Sequence, residues 1–188
     1  EEEWARFTSL PVDHLSAYIL TVEDRTVLGK RVEQGVQAIP EDPRVAREYD
    51  ALCAAMAAAG FEHYEVSNWA RPGGHAVHNQ HYWSGLPYWG VGPGAHGFNG
   101  VERYANVANN PAYIKALKTA HTSADLPFEN EPLRPVDRYN ESIMTGLRTA
   151  RGIEPDALEK RFGLRPDVVE PALWSRLLSE GKLVALDG

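Results

Sequence analysis

The chain has 188 residues, 43% hydrophobic and 24% charged, with a net charge of −7: enough for one large or two small domains with a buried core. Its acidic balance and dispersed Lys and Arg argue against nucleic-acid binding, which needs clustered cations. No stretch approaches the roughly 18 apolar residues of a membrane span, and the start Glu1-Glu2-Glu3 is the opposite of a signal-peptide n-region. The single cysteine, Cys53, excludes an internal disulfide and any multi-thiolate cluster or zinc site built from this chain alone, and makes the cytoplasm the default compartment.

In chain order, Trp4, Phe7 and Leu10 fall at helical spacing behind an acidic first turn with no capping residue, which reads as the latter part of a helix already under way. Residues 13–22 predict a strand whose apolar run, 17–20, suits parallel pairing with both faces buried, so that helix and strand make half of an α/β repeat. Residues 26–34 predict a short helix and 35–43 a loop. The clearest helix is 45–60, with Val45, Tyr49, Leu52, Cys53 and Met56 as its apolar stripe and Gly60 as its C-cap. Residues 61–67 alternate as a strand does, with Glu65 facing either a polar interior or solvent, and 69–77, around Pro72-Gly73-Gly74, reads as a turn-rich loop.

Next comes His78-Asn79-Gln80-His81-Tyr82-Trp83, the densest group of chemistry in the chain. Imidazole is the commonest metal ligand, and flat rings beside it suit a planar cofactor. His78 is an iron-ligand candidate, with loop hydrogen bonding as the plain alternative. His78 and His81 at i, i+3 can share a helical face, but an HxxH pair without a third ligand is a weak metal signal. Residues 88–98 hold Gly90, Gly92, Gly94 and Gly97. They predict an extended segment whose main chain lets a ligand approach closely. It is neither a dinucleotide loop, because Asn99-Gly100 opens a hairpin where a helix is required, nor a P-loop, because Gly-Lys-Ser/Thr is missing.

The hairpin returns through 101–107, 111–120 is helical, and 122–135, with Pro127, Pro132 and Pro135, reads as a linker. Beyond it, helices are predicted at 136–150, 155–162 and 166–180, and a terminal strand at 182–186, together resembling a small winged-helix arrangement. The third helix carries Asp167, Glu170 and Glu180 against Arg165 and Arg176, the wrong charge for a nucleic-acid groove.

Taken in order, Asp13-His14-Leu15-Ser16-Ala17-Tyr18, the run from Gly60 to Gly73 through Tyr64-Glu65-Val66-Ser67-Asn68-Trp69, His78-Asn79-Gln80-His81-Tyr82-Trp83 and Gly90-Val91-Gly92-Pro93-Gly94-Ala95-His96-Gly97 closely resemble the HemW branch of the oxygen-independent coproporphyrinogen oxidase-like radical SAM proteins. The resemblance implies an α/β fold. Residues 1–121 would be the C-terminal part of a partial (β/α) barrel, 122–135 a linker, and 136–188 a small helical, winged-helix-like domain of the HemN type. It implies a haem chaperone that passes haem to an acceptor apo-protein, or, as the alternative, an oxidase that decarboxylates coproporphyrinogen. The His-Asn-x-x-Tyr-Trp haem motif falls on His78, Asn79, Tyr82 and Trp83, with His78 as the metal-ligating residue. The S-adenosylmethionine contacts fall near Thr21 and His96. The family's three-cysteine motif for a [4Fe–4S] cluster is expected upstream of Glu1, so that this chain by itself does not cleave S-adenosylmethionine, and the barrel edge it leaves open is expected to pair with another chain.

Overall fold

The structure, a computed structural model, describes residues 2–122 and 125–186. The chain divides into two compact units, Glu1–Ala76 and Val77–Gly188.

In the first unit, α1 (Glu2–Thr8), β1 (His14–Ser16), α2 (Val27–Glu33), α3 (Asp42–Ala58), β2 (Glu62–Glu65) and β3 (Asn68–Ala70) follow one another. The α2 helix starts where Thr26 Oγ1 accepts the Gly29 N–H at 3.0 Å, as an N-cap hydroxyl does. The long α3 helix starts at Asp42-Pro43 and stops where Gly60 takes φ +77°, as the predicted C-cap requires. One turn apart on α3, Leu52 and Met56 are buried against Leu15, Phe61 and Trp69, and Trp4 and Phe7 of α1 close over them. Full burial of side chains such as Trp69 and Met56 stabilises by about 1.5–3 kcal/mol each.

The sheet order is β1-β3-β2, antiparallel throughout, which corrects two expectations. The parallel strand over 13–22 shrinks to His14–Ser16, and Tyr18, Ile19 and Leu20 leave the sheet with 74%, 57% and 67% of their surface exposed. Their apolar character reflects no burial within this chain. The loop expected from residue 69 begins instead with the central strand, whose Trp69 is fully buried and faces Leu15 on one side and His63 on the other. A register shift between His63 and Glu65 breaks the alternation of β2, so that Tyr64 and Glu65 are both buried. Glu65 is sustained there by the Asn68 amide, whose oxygen in turn accepts from the Ser16 hydroxyl.

The second unit contains α4 (Val77–Trp83), the hairpin β4 (His96–Phe98) and β5 (Glu102–Asn106), α5 (Asn110–Thr119), β6 (Phe128–Pro132), α6 (Pro135–Gly146), α7 (Pro155–Phe162), α8 (Pro166–Val169) and α9 (Pro171–Ser179). The hairpin turns where the sequence places it. Asn99 Oδ1 accepts the N–H groups of Val101 and Glu102 at 2.9 and 2.8 Å, and Gly100 takes φ +99°. Within 122–135, read as linker, Phe128–Pro132 forms an antiparallel edge strand on β5. The helix expected over 166–180 is two helices. Pro171 has no N–H and holds Glu170 out of helical geometry, at φ −132° and ψ 61°. The terminal strand expected at 182–186 is not formed; these residues follow α9 as a bend and irregular chain. Among the described residues Tyr139, Leu158 and Pro166 are buried in this helical part, with Phe162 edge-on to Tyr139 at 5.9 Å. Among the described residues no helix is long and apolar enough to cross a membrane.

Candidate functional site

The α4 helix is seven residues long and buries none of them fully. The i, i+4 spacing brings the exposed His78 ring edge-on to Tyr82 at 4.8 Å, with His78 Nε2 and the Tyr82 hydroxyl 3.1 Å apart. Tyr82 continues into Tyr88, ring centroids 4.3 Å apart, and Tyr88 into Phe98 at 6.3 Å. Reciprocal main-chain bonds between Tyr88 and Phe98, 2.9 and 3.0 Å, fix that last step. Burial, with Tyr82 alongside, pushes the Tyr88 phenol above its ordinary pKa.

These rings wall a cavity of about 190 Å³ that also touches Trp83, Arg103, Arg138, Glu141, Ser142 and Arg161. Pockets that enclose a drug-sized ligand measure roughly 300–1,000 Å³, so the cavity accommodates the edge of a large flat molecule, not its whole body. Arg148 lies over the Trp83 ring at 5.8 Å. Arg103 is already engaged by Glu131 and Glu141.

The structure thus brings Tyr82 and Trp83 of the predicted residues to one cavity. His78 touches it only through Tyr82, and Asn79 is half-buried on α4 outside its lining. His81 is half-buried one turn from His78, and among the described residues no three His, Cys, Asp or Glu side chains cluster as a metal site. Thr21 is exposed in the irregular chain between β1 and α2 of the first unit; His96 is exposed on β4 of the second, opposite Ala105.

The glycine segment differs from its reading. The space at Gly97 is taken by the ring of Tyr104, which a Cβ would strike, and a Cβ at Gly90 would strike the main chain of His96. Tyr104 Oη accepts the Gly90 N–H at 2.9 Å, and Asn106 Nδ2 donates to the carbonyls of Gly90 and Gly92. The close approach those glycines permit serves the protein's own side chains. Sequence reasoning also passed over Arg138, Glu141, Ser142 and Thr145, which line the cavity from α6. Their spacing of 3, 1 and 3 residues is a polar helical stripe that signals such a face.

No family model matches the chain. It is 43% identical over 143 residues to the haem chaperone HemW of Mycobacterium tuberculosis, covering 76% of this chain and 36% of that protein. Against HemW of Bacillus subtilis it is 30% identical over 174 residues, 92% of this chain and 45% of that one. Among solved structures it is similar to the radical SAM enzyme coproporphyrinogen III oxidase (HemN) of Escherichia coli, with a TM-score of 0.73, 14% identity, and 97% of this chain and 44% of that one covered. The chain belongs to the HemW/HemN-type radical SAM family. Its mixed α/β fold, small sheets with flanking helices, matches the HemN structure, and it spans less than half the length of these relatives.

A radical SAM cluster finds no ligand set in these residues. Cys53 is the chain's one thiol and packs against the α3 core. Burial, with Asp50 adding to it, pushes that thiol up, away from the thiolate a metal needs.

Proposed function

We propose that this chain is the haem-receiving part of a HemW-type haem chaperone, with haem as its cargo. The observation that carries the reading is His78: an exposed imidazole one helical turn from Tyr82, which it contacts and which lines a cavity walled by flat rings. Imidazole is a common axial ligand, and its identity tunes haem reactivity. Tyr82, Trp83, Tyr88 and Phe98 would cover apolar macrocycle surface, with Asn79 as the motif's remaining haem-binding residue. In the same reading Thr21 and His96 contact S-adenosylmethionine, the [4Fe–4S] cluster belongs to residues outside this chain, and the complete protein hands haem to an acceptor apo-protein in the cytoplasm. Residues 1–121 belong to the barrel part and 136–188 to the C-terminal domain, joined through 122–135.

The alternative, oxidative decarboxylation of coproporphyrinogen, has behind it a fold likeness at 14% identity. The Mycobacterium tuberculosis and Bacillus subtilis relatives, at 43% and 30% identity, carry the chaperone name. Ferric haem titrated into the chain and into His78→Ala tests the reading by Soret spectrum. We expect a histidine-type spectrum for the native chain and at least a tenfold weaker affinity for the variant. An unchanged spectrum and affinity in the variant would remove His78 from the site.

A further inference from the structure

We propose that the cavity of the second unit is a carboxylate-binding subsite for a flat aromatic ligand, with Arg138 as its cationic anchor and the Trp83 indole as a second donor. The inference rests on the haem reading for the identity of its natural ligand, but its argument is separate. Two buried donors, Trp83 Nε1 and Arg138 Nε, have no hydrogen-bond partner among the described residues, and both residues line the same cavity. A buried donor left unpaired is destabilising, and these two lie on side chains that line one cavity, which suits a ligand rich in acceptors. The charge agrees. Arg103, Arg138 and Arg161 face Glu141 as the one carboxylate of the lining. Glu141 is committed to Arg103 at 2.5 Å, which leaves the other two guanidiniums to meet an anion. Arg161 lies over the Phe162 ring, 5.0 Å from its centre, and Arg138 makes no ion pair among the described residues. A guanidinium matches a carboxylate in plane and charge.

The remaining wall says what the carboxylate is attached to. Tyr82, Tyr88, Phe98 and Trp83 offer ring faces, and a cavity of about 190 Å³ admits an edge bearing an acid group while the rest of a larger plane stays outside. A fused aromatic or tetrapyrrole acid fits this description; a free small anion makes no use of the rings.

The probes are 2-naphthoate and its uncharged analogue 2-naphthamide, titrated into the ¹⁵N-labelled chain while following the Trp83 indole N–H signal, assigned through Trp83→Phe. Naphthoate should shift that signal, with the amide at least tenfold weaker. Arg138→Gln should weaken naphthoate at least tenfold and erase the acid–amide difference, and Arg138→Lys should retain part of it. The amide spectrum of each variant checks its folding. Equal binding of acid and amide, no shift at Trp83, or native affinity in folded Arg138→Gln would overturn the subsite. Should that happen while haem still binds in a His78-dependent way, the haem reading stands alone. If naphthoate behaves as expected but haem does not bind, the subsite stands and the haem reading falls.

Discussion

The two units spend their aromatic residues differently. In the first, Trp69 and Phe61 are sealed with Leu15, Leu52 and Met56 into one contiguous core. In the second, Tyr139 is the one buried aromatic among the described residues, while Tyr82, Trp83, Tyr88 and Phe98 remain partly open around a cavity flanked by guanidiniums. Apolar surface enclosed in a core has already contributed its hydrophobic stabilisation to folding. Surface kept at the rim of a cavity keeps that contribution for a ligand. The difference separates a unit that holds shape from one that presents chemistry.

The sharpest way to break this comparison is a pair of tryptophan substitutions. Trp69→Ala should lose about 3–5 kcal/mol, as large-to-small changes in a packed core do. Trp83→Phe should lose under about 1.5 kcal/mol, being a near-conservative change at an open site. Urea denaturation of both variants measures this, and equal losses would abolish the distinction. A smaller effect is expected at the glycine segment. Gly97→Ala drives a methyl into the Tyr104 ring and should cost about 1–3 kcal/mol, the range for overpacking. In the double variant Gly97→Ala/Tyr104→Ala the methyl should cost markedly less, and strict additivity would show that the clash is not the cause.

The smallest effect is electrostatic and lies at the start of α6. Hydrogen bonds from the Arg134 guanidinium, foremost, and from its main-chain N–H pull Asp137 down to about 2. A carboxylate depressed in the folded state supports the helix start above its ordinary value near 4, and that support fades as pH falls towards 2. Carboxyl-carbon titration should give a midpoint near 2 in the native chain and a higher one in Arg134→Gln; an unmoved midpoint would exclude the pairing as cause.

What was legible follows from how local each signal is. The stripe and Gly60 stop of α3, the Asn99-Gly100 hairpin and the α7 helix ending at Gly163, φ +71°, are each specified within a few residues. Trp69 was missed because Val66-Ser67, the turn before it, carries no Asn-Gly signal and its strand is three residues long. The strand over 13–22 was overdrawn because an apolar run reads as buried until its neighbours are known. Pro171 was a local sign against one long helix and was outweighed by the apolar periodicity around it. At the site, the sequence picked out Tyr82 and Trp83 from their company. Arg138 escaped because facing them depends on α6 packing against α4, a contact between residues more than fifty positions apart.

The seat of Tyr104 over Gly97 carries a consequence for the kinetics of capture. A hairpin whose cleft is filled by its own side chain, and whose carbonyls are held by Asn106, has little left to rearrange when a guest arrives. Such preformed scaffolding lowers the ordering cost of association. Amide hydrogens of β4 and β5 should therefore exchange at the same slow rate with and without a bound guest, while those of α4, the short helix with no fully buried residue, should slow on loading.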